Sequence, residues 1–129
     1  MILLDTHVVL WLAESPELLS DKASAAIHSG RRAGLLGISD MTVLESARLI
    51  AMGRVEVKTS MADFLQSLER NFTILPITAA IAERTMSFSD RYPRDPVDRV
   101  VGATAVVHGG PLVTKDKKIR DSGEVDCVW

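Results

Sequence analysis

Four acidic residues, Asp5, Glu45, Asp98 and Asp116, are spaced so that carboxylates from distant parts of the chain could act on one substrate. Asp5 closes the apolar run Met1-Ile2-Leu3-Leu4, and helical spacing begins directly after it. Such a run reads as a buried strand. In open α/β sheets, ligands bind outside the carboxyl ends of the strands, so an acid at a strand end is placed for chemistry. Asp116 follows Leu112-Val113-Thr114 in the same way. Glu45 falls in the second turn of the helix after a second apolar run, and Asp98 in the first turn of the helix after a polar, Pro-containing segment. If the sheet is parallel, all four belong to one edge.

Carboxylates within about 4–6 Å repel and raise one another's pKa, so clustering them gains a protein nothing unless a cation joins them. An all-oxygen donor set with no His or Cys pattern points to Mg²⁺ or Mn²⁺ rather than zinc. Such an ion keeps waters, one of which can attack a phosphodiester, and it stabilises the charge that develops. Taken singly, each acid has a blander reading: Asp98 as a helix-start charge, Glu45 as a solvated helix residue, Asp116 as a turn residue. Their matching topological positions argue against coincidence.

The elements that must position them alternate along the chain. Strands are expected at 2–5, 35–39, 72–76, 112–114 and 125–129. Helices are expected over 7–13, over 18–29 with Ser20 as N-cap and Gly30 as stop, and from Ser39 or Asp40 to Gly53. Further helices are expected over 61–70 after Ser60, from Thr78 to about 87, and from Asp95 to about 108, with one short turn over 117–121. Asp95-Pro96-Val97-Asp98 is a strong helix start, with Asp at the N-cap, Pro at N1 and Asp at N3. The segment 89–94, around Tyr92 and Pro93, reads as a loop. This alternation implies a parallel, doubly wound α/β sheet. No repeat or linker divides residues 1–129, so one domain is expected.

Bulk properties narrow the class. The chain has 129 residues, 47% of them hydrophobic and 25% charged, which suits a globular domain. A net charge of −2 carries no global basic signature of polyanion binding, although a local basic rim can surround an acidic centre. The lone Cys127 excludes an internal disulfide and a multi-Cys zinc site, and fits a reducing compartment. No run approaches the roughly 18 apolar residues of a membrane span. A cytoplasmic protein is expected.

The motifs Leu4-Asp5-Thr6, Ile38-Ser39 followed by Glu45, Asp95-Pro96-Val97-Asp98-Arg99 leading into Ala103-Thr104-Ala105, and Val113-Thr114-Lys115-Asp116 resemble those of PIN-domain ribonucleases. More narrowly, they resemble the VapC toxins of bacterial toxin–antitoxin pairs. The resemblance spans nearly the whole chain; the Asp-Pro-x-Asp-Arg start and the Val-Thr-x-Asp ending are its most specific parts. It implies a three-layer α/β/α fold with five parallel strands and an endoribonuclease site dependent on Mg²⁺ or Mn²⁺. Carried over, Asp5, Glu45, Asp98 and Asp116 match the family's acids, with Asp5, Asp98 and Asp116 toward the metal, and Thr114 matches its accessory hydroxyl. It also implies a homodimer and a small antitoxin protein that occludes the site. Leu44 departs from the Trp often found before the second acid, which concerns packing rather than chemistry. Asp95 and Asp98 compete for one role. Asp95 suits the cap and Asp98 precedes the apolar run, so the metal role goes to Asp98 with Asp95 behind it.

Thr6 and Arg99 are secondary candidates near substrate, Arg99 either for a phosphate or for an acid. His7 could touch substrate, but a His at a helix start is more often packed or solvated. Arg48, three residues beyond Glu45, is placed to pair with it. Lys115, Lys117, Lys118 and Arg120 surround Asp116 with positive charge that suits a polyanion. Trp11, Trp129 and Met41 are expected in the core, and Cys127 is expected buried. Two other readings stand beside the ribonuclease. One is a non-catalytic PIN-like RNA-binding module. The other is a phosphatase-like enzyme with Asp5 as nucleophile, weakened because His7 stands where a second Asp would be needed.

Overall fold

Adjacent leucines decide how the molecule is layered. In the computed structural model, which describes residues 1–129, strand β1 (Ile2–Leu4) places Leu3 and Leu4 on opposite faces, as successive strand residues must be. Both are fully buried, and they belong to separate apolar clusters. Each such burial contributes about 1.5–3 kcal/mol. With both faces covered, the strand is uniformly apolar instead of alternating.

Four more strands join β1: β2 (Leu36–Ser39), β3 (Thr73–Leu75), β4 (Leu112–Val113) and β5 (Cys127–Val128). They form one sheet in the order β3-β2-β1-β4-β5, every neighbouring pair parallel. On the Leu4 face pack α1 (Thr6–Glu14), α2 (Asp21–Ala33), α3 (Asp40–Ala51) and α4 (Met61–Asn71), through residues such as Val8, Ile27, Leu49 and Phe64. On the Leu3 face pack α5 (Ala79–Thr85), α6 (Pro96–His108) and α7 (Lys117–Ser122), through Ile81, Val101 and Ile119. The result is the three-layer α/β/α fold with five parallel strands. The chain winds outward from β1 to β3, then crosses back to lay β4 on β1's other side. Between β1 and β4 the winding reverses, and a crevice opens at their carboxyl ends. No helix is long and apolar enough to cross a membrane.

Most helix starts follow local sequence. Ser20, Ser60 and Thr78 each accept a backbone N–H three residues on, satisfying a donor the helix cannot. Ser39 caps α3 by accepting from Met41 N, which leaves Asp40 free to accept from Ile77 N at 3.1 Å and tie the chain after β3 to α3.

Several elements differ from expectation. Residues 16–18 form a separate 3₁₀ turn, and α2 runs through Gly30 and both arginines to end at Gly34, where φ is +69°. Gly30 does not stop the helix. A Cβ there would lie 2.6 Å from Leu36 Cδ2, so glycine lets α2 close on β2. β5 is shorter than expected and pairs with β4 in the register Leu112 to Cys127 and Val113 to Val128.

The polar segment before α6 is anchored by a buried aromatic. Tyr92 is fully buried and stacks on Phe88 with ring centroids 4.0 Å apart. Its hydroxyl donates to the Asp98 carbonyl at 2.7 Å. A Cβ on Gly102 would sit 2.1 Å from that hydroxyl, so α6 reaches Tyr92 only with glycine at this position. Trp11 and Met41 are half-buried and belong to neither core cluster, whereas the half-buried Trp129 packs against the cluster on the Leu4 face, as expected. Cys127 is also half-buried; its thiol donates to the Val125 carbonyl at 3.3 Å, and partial burial pushes its pKa up to about 11.

Candidate active site

At the β1/β4 crevice the chain assembles carboxylates from the sheet and from the starts of helices. The Asp5 N–H donates to the Val113 carbonyl at 3.0 Å, which fixes the end of β1 against β4. The Asp5 side chain is 8% exposed. Its Oδ1 accepts from Thr6 N at 2.8 Å, capping α1, and its Oδ2 accepts the Thr114 hydroxyl at 2.7 Å. Thr114 Oγ1 in turn accepts the Asp116 N–H at 3.1 Å. One hydroxyl thus orients the first acid and shapes the turn that carries the last. Asp116 caps α7 by accepting from Ile119 N at 3.1 Å.

Asp98 enters from α6. Asp95 Oδ1 caps that helix, accepting from Val97 N at 2.9 Å and Asp98 N at 3.2 Å. The division of labour follows: Asp95 is exposed and engaged with backbone, whereas the half-buried Asp98 carboxylate has no hydrogen-bond or ion-pair partner. Glu45 reaches the same cleft from α3, with Arg48 Nη1 3.4 Å from its Oε1, the pairing that i,i+3 spacing implies. These five acids share a cleft of about 490 Å³ with Thr6, His7, Trp11, Val97 and Lys115.

The electrostatics of this cleft are strained. Burial raises the Asp5 carboxyl above the usual carboxylate range, against the lowering effect of its Thr114 and Thr6 hydrogen bonds, and the charge of Asp116 adds to the rise. Asp98 is pushed up to about 7, first by burial and then by the charges of Asp5, Asp95, Asp116 and Glu45. No Lys or Arg forms an ion pair with Asp5, Asp95, Asp98 or Asp116. No three His, Cys, Asp or Glu side chains are closed into a ready metal cage. Mg²⁺ does not require one, since it is usually held by one or two carboxylates and keeps several waters. Buried oxygen donors without a cation fit a hydrated hard ion.

The weaker candidates separate clearly. The Thr6 hydroxyl lies 3.2 Å from that of Thr42 and links the start of α1 to α3 beside the cleft. Arg99 is turned elsewhere. Its Nε donates to the Pro93 carbonyl at 2.9 Å and its Nη1 to the Thr85 carbonyl at 3.1 Å, clamping the preceding loop onto α6. Of the basic residues near Asp116, only Lys115 lines the cleft; Lys117 pairs with Asp121, and Arg120 donates to the Lys115 carbonyl. Trp11 is the cleft residue that sequence reading misplaced. It lies four residues from His7 on one face of α1, whereas Val8, Val9 and Leu10 are buried, and that spacing was the available signal.

A parallel α/β/α sheet with acids gathered at its switch point defines a class, and the comparisons agree with it. The PIN domain pattern matches residues 2–124, and the chain belongs to the PIN-domain family. It is 34% identical over 119 residues to Ribonuclease VapC22 of Mycobacterium tuberculosis (strain ATCC 25618 / H37Rv), covering 92% of this chain and 89% of that protein. Among solved structures, the fold is similar to VapBC2 from Rickettsia felis bound to a promoter DNA fragment, with a TM-score of 0.74 at 14% identity, covering 98% of this chain and 97% of that one. It is also similar to DNA-bound VapBC from Salmonella typhimurium, with a TM-score of 0.70 at 13% identity, covering 98% and 95%.

Proposed function

We propose that this chain is an endoribonuclease that hydrolyses RNA phosphodiester bonds with Mg²⁺ or Mn²⁺, and that it is the toxin of a toxin–antitoxin pair. The observation that carries the reading is the set of five carboxylates gathered at the switch point, of which only Glu45 has a Lys or Arg partner, with Asp98 pushed up to about 7. Kinship with a VapC ribonuclease supports the reaction, and likeness to VapBC toxin–antitoxin assemblies supports the biological setting. Residues 1–129 act as one PIN domain, working as a homodimer in the cytoplasm and restrained by a small antitoxin protein.

Asp5, Asp98 and Asp116 would hold the ion. When bound, it would supply an activated water and neutralise charge on the phosphate. The protein does the rest by positioning. Thr114 and the Thr6 N–H fix the Asp5 carboxylate, so that it needs little reorganisation when the ion arrives. Asp95 holds the first turn of α6 and thereby sets the place of Asp98. Arg48 anchors Glu45, which is left to accept a proton on the α3 side of the cleft.

Incubation of the purified protein with single-stranded RNA, in Mg²⁺ or Mn²⁺ and in EDTA, tests this directly. Cutting only with the ion is expected. RNA binding with no cutting under any of these conditions would instead favour the non-catalytic RNA-binding module.

A further inference from the structure

The cleft has a second wall that metal chemistry does not use. Trp11 stands on it half-buried, beside His7 one turn earlier on α1, with ring centroids 6.0 Å apart. Trp129 packs behind Trp11 at 6.0 Å and a tilt of 55°, bracing the indole from the sheet side. Lys115, the only Lys or Arg lining the cleft, places its ammonium 5.4 Å over the Trp11 ring. That is near the long limit of about 6 Å for a cation–π contact, and an exposed lysine on a four-carbon stem can leave it readily. The contrast with Tyr92 is instructive, because that aromatic is fully buried, hydrogen-bonded and stacked on Phe88. Trp11 instead keeps apolar area at the mouth of a site crowded with charge. A braced indole with one mobile cation beside it is the combination that holds unpaired nucleic acid, base on ring and phosphate on ammonium.

We propose that Trp11, braced by Trp129, is the surface on which one unpaired base of an RNA strand stacks while the neighbouring phosphate reaches the acids, and that Lys115 moves from the ring to an adjoining phosphate. The inference rests on the ribonuclease reading and deepens it. The substrate is a strand with at least one base free to unstack, and Trp11 is a positioning residue for it.

Trp11 and Trp129 are the only tryptophans, so Trp129→Phe leaves the emission of Trp11 alone. A short single-stranded oligoribonucleotide, titrated in EDTA so that no cutting occurs, is expected to quench that emission. A series carrying one abasic position each is expected to lose the quenching at a single position. With Mn²⁺ present, Trp11→Ala is expected to lower kcat/KM about ten- to hundredfold, with the loss falling more on KM than on kcat, and Trp11→Tyr to restore most of it. The abasic change and Trp11→Ala are expected to be non-additive, since both remove the same contact. No quenching by any oligoribonucleotide, quenching by base-free polyphosphate as strong as by RNA, or Trp11→Tyr as defective as Trp11→Ala would overturn the stacking surface. RNA that quenches Trp11 but is never cut by the unaltered protein with any ion would overturn hydrolysis alone and support the surface.

Discussion

The carboxylates at the outer surface and those in the cleft are treated in opposite ways. On the outer surface, Asp121 pairs with Lys117, and Glu124 accepts from both the backbone N–H and the hydroxyl of Ser89, at 3.0 and 2.9 Å. Those donors hold both acids below the usual carboxylate range. In the cleft, Asp5 and Asp98 are raised instead, both first by burial, with the charge of Asp116 adding to the rise of Asp5 and that of Asp5 adding to the rise of Asp98. The peripheral acids are satisfied by donors the chain itself supplies. In the cleft the two hydrogen bonds to Asp5 do not offset its burial, and the Asp98 carboxylate has no donor at all, which a protein tolerates where another partner completes the site.

The comparison breaks first on activity. Asp5→Asn or Asp98→Asn is expected to lower RNA cleavage by about 10³-fold, the scale of several kcal/mol of lost charge stabilisation, while Asp121→Asn leaves the rate unchanged. Rates on a defined oligoribonucleotide check this. Without metal, Asp98→Asn is expected to melt no lower than the unaltered protein at pH 8, because it removes a repelled charge.

Next comes the support of the cleft. Gly102→Ala would press a methyl group into the Tyr92 hydroxyl and is expected to cost about 1–3 kcal/mol, read as a lower denaturant midpoint with an unchanged slope. An unchanged midpoint would mean that Tyr92 does not hold α6.

The pH profile of stability separates the two regions without mutation. Asp98 has a folded pKa of about 7 against an unperturbed 3.8, so between these values the folded state keeps a proton that the unfolded state has released. Its contribution therefore weakens as pH rises through that window and levels off above it, and Asp5 shifts in the same direction. Glu124, whose pKa is lowered by its Ser89 hydrogen bonds, loses its contribution at the acid end as pH falls through its folded value, whereas the exposed Asp121–Lys117 pair is screened and adds little. Melting without divalent ions is expected to show both trends, and Mg²⁺ at pH 7.5 is expected to raise the melting temperature by binding the folded state. The smallest effect belongs to the surface: Lys117→Ala breaks an exposed pair and is expected to leave melting unchanged.

What could be read from sequence was local. Asp5 could be placed because an apolar run ends at it, Asp116 because it closely follows the Leu112-Val113-Thr114 strand, and Asp95 and Asp98 because Asp-Pro-x-Asp specifies a cap and a first turn. The layers followed from strands alternating with helices. What escaped depended on contacts between distant residues. Gly30 looks like a helix stop until Leu36 is seen against it, and Tyr92 looks like a loop residue until Gly102 makes room for it. Arg99 could have served a phosphate; its partners prove to be the carbonyls of Pro93 and Thr85. Trp11 reads as a core residue in sequence, whereas its neighbours in space leave it half-buried on the wall of the cleft.

Titration calorimetry with Mn²⁺ at pH 6.5, repeated in two buffers of different ionisation heat, tests most directly whether the cleft acids await a cation. Saturable binding that releases protons is expected, because Asp98, pushed up to about 7, still holds part of its proton at that pH and must ionise to hold the metal. Both the binding and the proton release should be lost in Asp98→Asn and retained in Asp121→Asn. No Mn²⁺ binding, or binding equally strong in Asp98→Asn, would contradict a metal site built from these carboxylates.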